Sequence, residues 1–305
     1  MEGTFGFIEK RIIGNGSFLA YKTYNKSHGK LVQQHYRREL WALKHLNITS
    51  KDSSVQNHVV HLIDNQETST CYHLIFPFYS STLLAHATKK NQALALDFVK
   101  QISKGLAYLH SNNIIHCDLS PSNILIDELS GCMVICDFGC AHPNSNSLTD
   151  TTEEIGTRYY KAPEHLFGSK KYAPSTDIWS LGSIYAELLF GYPIFAGETD
   201  IEQVGRIIGR LGKPSDKVEK EEMSDYPDTN KLMFFSCASS DDESDFDFES
   251  DDEEMILVKA NRKPLKQLMQ EENLSETEQN LVVRILTWST KERMSLPEII
   301  FLIQQ

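Results

Sequence analysis

Two short polar motifs, each beside a run of apolar residues, constrain the fold of this chain more than any other feature. The first spans residues 116–123 and reads His-Cys-Asp-Leu-Ser-Pro-Ser-Asn, and the second is Asp137-Phe138-Gly139. The apolar runs 124–126 and 133–135 have the length and residue types of short buried strands. The sequence therefore predicts that Asp118, Asn123 and Asp137 lie in loops held by one rigid sheet.

Two carboxylates and one amide are the groups that a reaction of a magnesium–nucleotide complex requires. One carboxylate must accept the proton of a hydroxyl group, and we assign this role to Asp118. Mg²⁺ prefers oxygen ligands, so the carboxylate of Asp137 and the amide oxygen of Asn123 are the candidate metal ligands.

The spacing H-x-D-x-x-x-x-N followed by D-F-G resembles the signature of the eukaryotic protein kinases. Residues 156–164, Gly-Thr-Arg-Tyr-Tyr-Lys-Ala-Pro-Glu, resemble the end of the activation segment in Ser/Thr kinases. The resemblance extends over residues 2–305 and implies the bilobal α+β protein kinase fold. A small β-rich N-lobe would span residues 1–79 and a larger helical C-lobe residues 80–305. The resemblance also implies ATP and Mg²⁺ as cofactors.

The same resemblance assigns roles to four further residues. Thr157 would hydrogen-bond the catalytic loop and select hydroxyl substrates of the Ser/Thr type, and Asp177 would tie down the backbone of that loop. Glu164 would pair with Arg293, because an unpaired buried carboxylate is strongly destabilising. Ser120 stands where the family has a lysine near the transferred phosphoryl group, which removes one cation and suggests a slow enzyme.

The glycine-rich stretch at residues 14–18 has two interpretations. Its Asn-Gly pair is a strong hairpin signal and can join the strand-like runs 7–13 and 17–22. As a nucleotide-binding loop it would need a lysine on the next strand, where His35 stands instead. That alternative also leaves too few residues between the strand and a helix that contains Glu39, so we favour the hairpin.

The start of the chain is a better candidate for the nucleotide loop. It resembles the second half of the G-x-G-x-x-G-x-V loop of cyclin-dependent kinases, with Gly3, Gly6 and Ile8 beside the nucleotide. In this register Lys22 binds the phosphates, and Glu39, seventeen residues later, is its ion-pair partner. The lobe would then lack its first strand, because the sequence begins inside the loop.

Four residues are expected around the adenine base by the same resemblance. Ala20 belongs to the strand of Lys22, and Phe76 closes the back of the pocket. Tyr79, in the connection between the lobes, would supply its backbone N–H and C=O groups. Leu125 would form the floor beneath the base.

The hydrophobic pattern predicts the remaining elements. Strands are expected at residues 58–63 and 72–76, and a polar loop before them at 47–56. Helices are expected at residues 81–89, 94–110, 177–190, 200–211, 276–288 and 296–304. Residues 215–254 are expected to form a disordered insert, because the acidic run at its end cannot pack.

Composition limits the classes of partner. The formal charge is −12, but ten acids fall within residues 241–254, which leaves −2 on the rest of the chain. This balance argues against nucleic acid or an anionic membrane as a partner. The six cysteines form no C-x-x-C pair, so we expect no disulfide framework and a reducing location, the cytoplasm or the nucleus. The sequence shows no stretch long enough to span a membrane and no signal peptide.

Several details resemble the cyclin-dependent kinase branch, and in particular its monomeric fungal CDK-activating kinases. They are the eroded glycine loop, the Ile-Phe-Pro-Phe sequence before Tyr79, and Leu-Phe-Gly soon after Glu164. This resemblance implies a monomeric kinase whose protein substrate is the activation-loop threonine of a cyclin-dependent kinase. Gly156 and Lys161 replace a valine and an arginine that are common in proline-directed members, which weakens a proline-directed assignment.

Two other functions stay open at this point. A pseudokinase would keep the fold as a binding module without transfer, and a cyclin-dependent kinase-like enzyme could act on other substrates. A small-molecule phosphotransferase shares the first motif, but residues 156–164 argue against it.

The expected regulation departs from that of cyclin-dependent kinases. In those enzymes three arginines bind a phosphate on the activation loop. Here Cys117 and His142 stand at two of these positions, and Arg38 stands at the third. Thr152 occupies roughly the phosphorylated position. We expect activity to be independent of phosphorylation at Thr152, because most of the charge partners of a phosphate are absent.

Overall fold

An antiparallel sheet of four strands forms the N-terminal lobe. The computed structural model describes residues 6–14, 16–144, 156–235 and 263–304. The strands of this lobe are β1 Phe7–Ile12, β2 Phe18–Asn25, β3 Asp64–Glu67 and β4 Cys71–Pro77, in the spatial order β1-β2-β4-β3. β1 and β2 are joined by a tight turn in which the N–H of Ile13 donates to the carbonyl of Ser17 at 2.9 Å. The hairpin interpretation of residues 14–18 is confirmed.

Two helices lie between β2 and β3. Helix α1, Lys30–Leu46, buries Tyr36, Leu43 and other side chains of one face against the lobe. Helix α2, Lys51–Asn57, occupies the region where we expected a loop, and that expectation is wrong. The hydrophobic pattern did not indicate this helix, because α2 buries little more than Ser54. The helix is instead fixed at its start by the side chain of Ser50, which accepts a hydrogen bond from the Ser53 N–H.

The apolar residues 58–63 do not form the expected strand. They connect the lobes: the N–H of Val60 donates to the carbonyl of Ile135, and the N–H of Ile135 donates to the carbonyl of His58, both at 2.9 Å. Val59 and Val60 are buried there. The strand lies further along, as β3, whose polar residues are held by backbone pairing with β4.

Helices dominate the C-terminal lobe. They are α3 Gln92–Ser111, α4 Pro163–Leu166, α5 Pro174–Phe190, α6 Asp200–Leu211, α7 Lys217–Ser224, α8 Leu265–Glu271, α9 Glu276–Ile285 and α10 Leu296–Leu302. The core lies around α3 and α5, where Phe98, Leu106 and Trp179 are fully buried. The expected helices at 94–110, 177–190, 200–211, 276–288 and 296–304 are confirmed, with shifts of a few residues at several ends.

Short strands place the two polar motifs. They are β5 Ser81–Thr82, β6 Ile114–Ile115, β7 Ile124–Asp127, β8 Cys132–Ile135 and β9 His142–Pro143. β7 and β8 pair in one sheet, as the two apolar runs predicted, and β6 pairs with β9. The expected helix at 81–89 is wrong, because β5 pairs with β7 and a single 3₁₀ turn, Leu83–Ala85, follows it.

The start of the expected insert is ordered. Helix α7 lies inside it, and the carboxylate of Glu222 on that helix accepts hydrogen bonds from Ser289 Oγ at 2.8 Å and from the Thr290 N–H at 3.1 Å. A 3₁₀ helix, Thr229–Phe235, follows. The expectation of disorder is therefore wrong for residues 217–235, while the acidic run 241–254 lies outside the described residues. Among the described helices, none is both long and apolar enough to cross a membrane.

Candidate active site

Asp177 of α5 fixes the backbone of the loop between β6 and β7. Its carboxylate accepts hydrogen bonds from the N–H groups of His116 and Cys117, both at 2.9 Å, and lies 2.8 Å from His110 Nε2. Burial alone would raise the pKa of Asp177, but the hydrogen bonds from His110 and His116 hold it below its usual value. The predicted role of Asp177 is confirmed.

Two residues of the site adopt a backbone conformation that is rare for residues other than glycine. Cys117 has φ = 65° and Asp137 has φ = 64°. Left-handed residues of this kind cost about 1–3 kcal/mol each and occur where the surrounding structure fixes them. The bond from Cys117 to Asp177 is one such constraint.

Asp118 is held by the start of the segment 156–164. Its Oδ1 accepts the backbone N–H of Thr157 at 2.7 Å and the hydroxyl of the same residue at 2.9 Å. Asn123 Nδ2 donates to the backbone carbonyl of Asp118 at 2.8 Å and lies 3.3 Å from Oδ2. Burial and the nearby Asp137 raise the pKa of Asp118, and the two bonds from Thr157 oppose this. The predicted contact between Thr157 and the catalytic loop is confirmed.

Lys22, Glu39 and Asp137 form an ionic triad in which Lys22 and Glu39 are buried and Asp137 is partly exposed. Lys22 Nζ lies 2.8 Å from Glu39 Oε2 and 2.8 Å from Asp137 Oδ1. Burial alone would lower the pKa of Lys22, but the two carboxylates raise it well above its usual value. Burial would likewise raise the pKa of Asp137, yet Lys22 holds it below its usual value, so this carboxylate is ionised. The Lys22–Glu39 register is confirmed.

The alternative register is wrong. His35 lies on α1, not on a strand, and is buried. A side-chain carbon added at Gly139 would lie 3.0 Å from His35 Nδ1, so the helix packs directly against the D-F-G loop. His35 is therefore a packing residue between α1 and that loop.

The residues present fit a magnesium–nucleotide complex. The amide nitrogen of Asn123 donates to the backbone carbonyl of Asp118, which leaves the amide oxygen as a candidate ligand, and Asp137 provides an ionised carboxylate. Within the described residues no group of three His, Cys, Asp or Glu side chains converges as a metal cage. Two protein ligands suit Mg²⁺, which completes its shell with water and phosphate oxygens.

The structure places the N-lobe residues of the expected adenine pocket on one face of the sheet. Ile8 pairs with Lys22 across β1 and β2, and Ala20 pairs with Phe76 across β2 and β4. Directly paired residues of antiparallel strands point to the same side, so these side chains lie on the Lys22 face. Leu125 and Tyr79 are partly buried against the core, from β7 and from the connection after β4.

Of the two glycines in the proposed nucleotide loop, the structure describes only Gly6. Gly3 lies outside the described residues. A side-chain carbon at Gly6 would lie 2.7 Å from the carbonyl oxygen of Thr23, so any other residue there would push β1 from β2. Gly6 thus has a packing role that the sequence did not reveal, while its expected contact with phosphate stays a prediction.

Ser120 brings no charge to the site. It is buried, and its hydroxyl lies 2.9 Å from the hydroxyl of Ser122. The loss of the lysine found in the family is therefore not compensated by Ser120 itself. Its expected effect on rate stays a prediction.

The region that would receive a phosphate is largely apolar. Cys117 and Cys140 are buried in a cluster with Ile115 and Tyr172. His142 stacks on Tyr172 with ring centroids 4.4 Å apart, and burial lowers its pKa to about 4, so it is neutral at physiological pH. Arg38 Nη1 donates to the Gly139 carbonyl at 3.1 Å. Cys117 and His142 therefore supply no positive charge here. The described cations near them are Arg38 and Lys161, and Lys161 lines the same cavity as Cys117 and Tyr172. Thr152 lies outside the described residues.

Contacts with the C-lobe anchor the segment after Thr157. Arg158 Nε lies 3.1 Å from Asp200 Oδ1, and the hydroxyl of Tyr159 donates to Glu198 at 2.8 Å. Glu164 is buried and paired with Arg293 through two contacts of 3.0 and 3.2 Å, as predicted. The segment is therefore a fixed platform beside Asp118.

One polar residue of the site escaped the sequence analysis. Tyr24 is buried, and its hydroxyl donates a short hydrogen bond to Glu39. It lies two residues after Lys22 and thus on the same face of β2, which is the signal that could have identified it. Its hydrogen bond to Glu39 distinguishes Tyr24 from a tyrosine that only packs in the core.

A two-lobed α+β fold with a Lys–Glu–Asp triad, a held carboxylate and two candidate magnesium ligands is typical of an ATP-dependent phosphotransferase. The family model for the protein kinase domain matches residues 2–301 of the chain. The chain belongs to the protein kinase family, whose members use ATP and Mg²⁺.

Its relatives include cyclin-dependent kinases. The chain is similar to cyclin-dependent kinase 20 of Homo sapiens, with 40% identity over 168 residues, which are 53% of this chain and 47% of that protein. It is similar to cyclin-dependent kinase-like 2 of Rattus norvegicus, with 34% identity over 217 residues, 69% of this chain and 41% of that protein. The chain spans under half the length of these curated relatives. They support the cyclin-dependent kinase-like branch.

Proposed function

We propose that this chain is an active Ser/Thr protein kinase that phosphorylates the activation-loop threonine of a cyclin-dependent kinase in the cytoplasm or nucleus. The observation that carries the catalytic part is the joint arrangement of Lys22, Glu39 and Asp137 with Asp118 on its platform. A pseudokinase has no need to keep all of these contacts, so the geometry favours transfer.

The chain's own residues account for the steps of the reaction. When bound, Mg-ATP would supply the γ-phosphoryl group, with ADP as the leaving group and Mg²⁺ neutralising the phosphate charge. Lys22 binds and orients the phosphates, while Glu39 holds Lys22. The substrate hydroxyl donates its proton to Asp118. Oδ2 is the better placed oxygen, because it accepts only one long bond, from Asn123 at 3.3 Å, whereas Oδ1 accepts two bonds from Thr157. Thr157 therefore fixes the direction in which Asp118 accepts.

The regulatory region supports the choice of substrate. A kinase that activates other kinases needs no further kinase upstream if it is active without a phosphate of its own. The neutral His142 and the apolar surroundings of Cys117 and Cys140 provide few partners for a phosphate. A kinase that is active without this phosphate suits such an upstream role.

A transfer assay tests both parts of the proposal. The purified chain is given Mg-ATP and a cyclin-dependent kinase, beside the same substrate with its activation-loop threonine changed to alanine. Lys22→Met and Asp118→Asn are the controls for activity. Transfer to the threonine above both controls is expected. No transfer to any protein would contradict the kinase assignment, whereas transfer to other proteins alone would contradict the substrate.

A further inference from the structure

Tyr24 contacts both members of the ion pair that orients the nucleotide. Its hydroxyl donates to Glu39 Oε2, the same oxygen that accepts from Lys22 at 2.8 Å. The Lys22 ammonium also lies 5.3 Å from the centre of the Tyr24 ring. Tyr24 and Glu39 are each 1% exposed, so bulk water does not reach this hydrogen bond.

The ring of Tyr24 also holds helix α1. Tyr36, one turn before Glu39 on α1, meets the ring edge-on with centroids 5.7 Å apart and stacks on Tyr72 at 4.2 Å. Tyr24 and Tyr72 are paired residues of β2 and β4, so they form one aromatic surface of the sheet. The helix is thus fixed to the sheet by a ring contact at Tyr36 and a hydroxyl contact at Glu39.

We propose that Tyr24 is a positioning residue for phosphoryl transfer: its hydroxyl keeps Glu39 in place beside Lys22. This inference rests on the proposed kinase activity and adds a residue to it. The physical reason is the cost of a buried carboxylate with one donor fewer. Without the hydroxyl, Glu39 has less to hold it at Lys22, and Lys22 is drawn to Asp137 alone.

A double-mutant cycle separates this role from a general effect on folding. Tyr24→Phe removes the hydroxyl and keeps the ring that Tyr36 contacts. The same substitution is also made in a Glu39→Gln variant, in which residue 39 has no negative charge to pair with Lys22. Tyr21→Phe, on the same strand and the opposite face, is the matched control. The rate of Mg-ATP hydrolysis is measured per nucleotide site, with sites counted by titration with Mg-AMP-PNP and Asp118→Asn as the blank.

The expected result is a loss that depends on Glu39. Tyr24→Phe should lower kcat about tenfold with an unchanged number of sites, because hydrogen bonds to charged groups contribute about that much. Tyr21→Phe should change the rate by less than about twofold. In the Glu39→Gln background, Tyr24→Phe should add less than about twofold, since residues that act as a unit are not additive.

Two outcomes would overturn the proposal. An unchanged rate in Tyr24→Phe would do so, and so would an equal loss in both backgrounds, because that pattern means a structural effect. Failure of the proposed function gives a different pattern. A wild-type chain that hydrolyses ATP but leaves a cyclin-dependent kinase unmodified contradicts the substrate alone, whereas no hydrolysis above Asp118→Asn contradicts the activity and this inference with it.

Discussion

At the scale of single residues, the site depends on how buried charges are hydrogen-bonded. Asp118 and Asp137 lie near each other, yet their pKa values move in opposite directions. Asp118 is raised by burial and by Asp137, whereas Asp137 is lowered because Lys22 outweighs its burial. One carboxylate is thus suited to accept a proton, and the other stays charged for the metal.

Thr157 should set the lower pH limit of activity. Asp118 must be ionised to accept a proton, so activity is lost as pH falls through its pKa. The bonds from Thr157 lower this pKa. Thr157→Val removes the hydroxyl bond, and we expect the acid limb of the kcat profile to move to higher pH, with kcat at neutral pH reduced about tenfold.

Thr157→Ser is the matched control, because it keeps the hydroxyl and should keep the profile of the wild type. The measurement is kcat for transfer to a protein substrate across the acid range. An acid limb that is the same in the valine and serine variants would show that Thr157 does not tune Asp118.

At the scale of secondary-structure elements, the sequence predicted those whose burial follows a simple period. Helix α3 and strands β7 and β8 were found because their apolar residues are spaced for one buried face or a short buried run. Helix α2 was missed because its stability comes from the Ser50 cap and not from an apolar face. Strand β3 has no apolar residue, so only its long-range pairing with β4 makes it a strand.

The same reasoning explains which parts of the site were predictable. Asp118, Asn123 and Asp137 stand in motifs whose spacing carries the chemistry, and Lys22 and Glu39 follow from the distance between them. Tyr24 has no motif of its own. Its position two residues after Lys22 predicts only that it lies on the Lys22 face of β2. The contact with Glu39 depends on the packing of α1 against β2, which brings two distant residues within hydrogen-bond distance.

The Glu164–Arg293 pair should be the strongest ionic connection between the activation segment and the last helices. Both side chains are buried, and the Arg293 guanidinium also donates to the carbonyls of Ser175 and Thr287. Arg293→Met leaves an unpaired buried carboxylate, and we expect it to lower the free energy of unfolding by about 3–5 kcal/mol. Urea denaturation at neutral pH is the measurement.

An exposed ion pair provides the control for that experiment. Arg284 lies 2.8 Å from Glu298, and both side chains are about half exposed. Arg284→Met should therefore lower stability by less than about 1 kcal/mol. Adding Glu164→Gln to Arg293→Met should restore part of the loss, since it removes the stranded charge; a double variant less stable than Arg293→Met would contradict this explanation.

At the scale of the whole molecule, the two lobes are held in a conformation that suits catalysis by contacts within the chain. Helix α1 reaches the D-F-G loop through Arg38 and Gly139, and the segment at 58–60 is bonded to Ile135 of β8. The triad of Lys22, Glu39 and Asp137 joins the N-lobe to the C-lobe. All of these contacts are made by residues outside the range 145–155.

Phosphorylation of the activation segment should accordingly matter little. Thr152→Ala is expected to retain activity within about twofold, because two of the three positions that would supply cations to a phosphate hold Cys117 and a neutral His142. The measurement is the rate of transfer before and after phosphatase treatment of wild type and variant, with Asp118→Asn as the blank. A phosphate would gain little here, because His142 is neutral and Cys117 supplies no cation. A loss of most activity in Thr152→Ala, or in the phosphatase-treated wild type, would mean that Arg38 alone is enough to read the phosphate, and the independence inferred from the two substituted positions would be wrong.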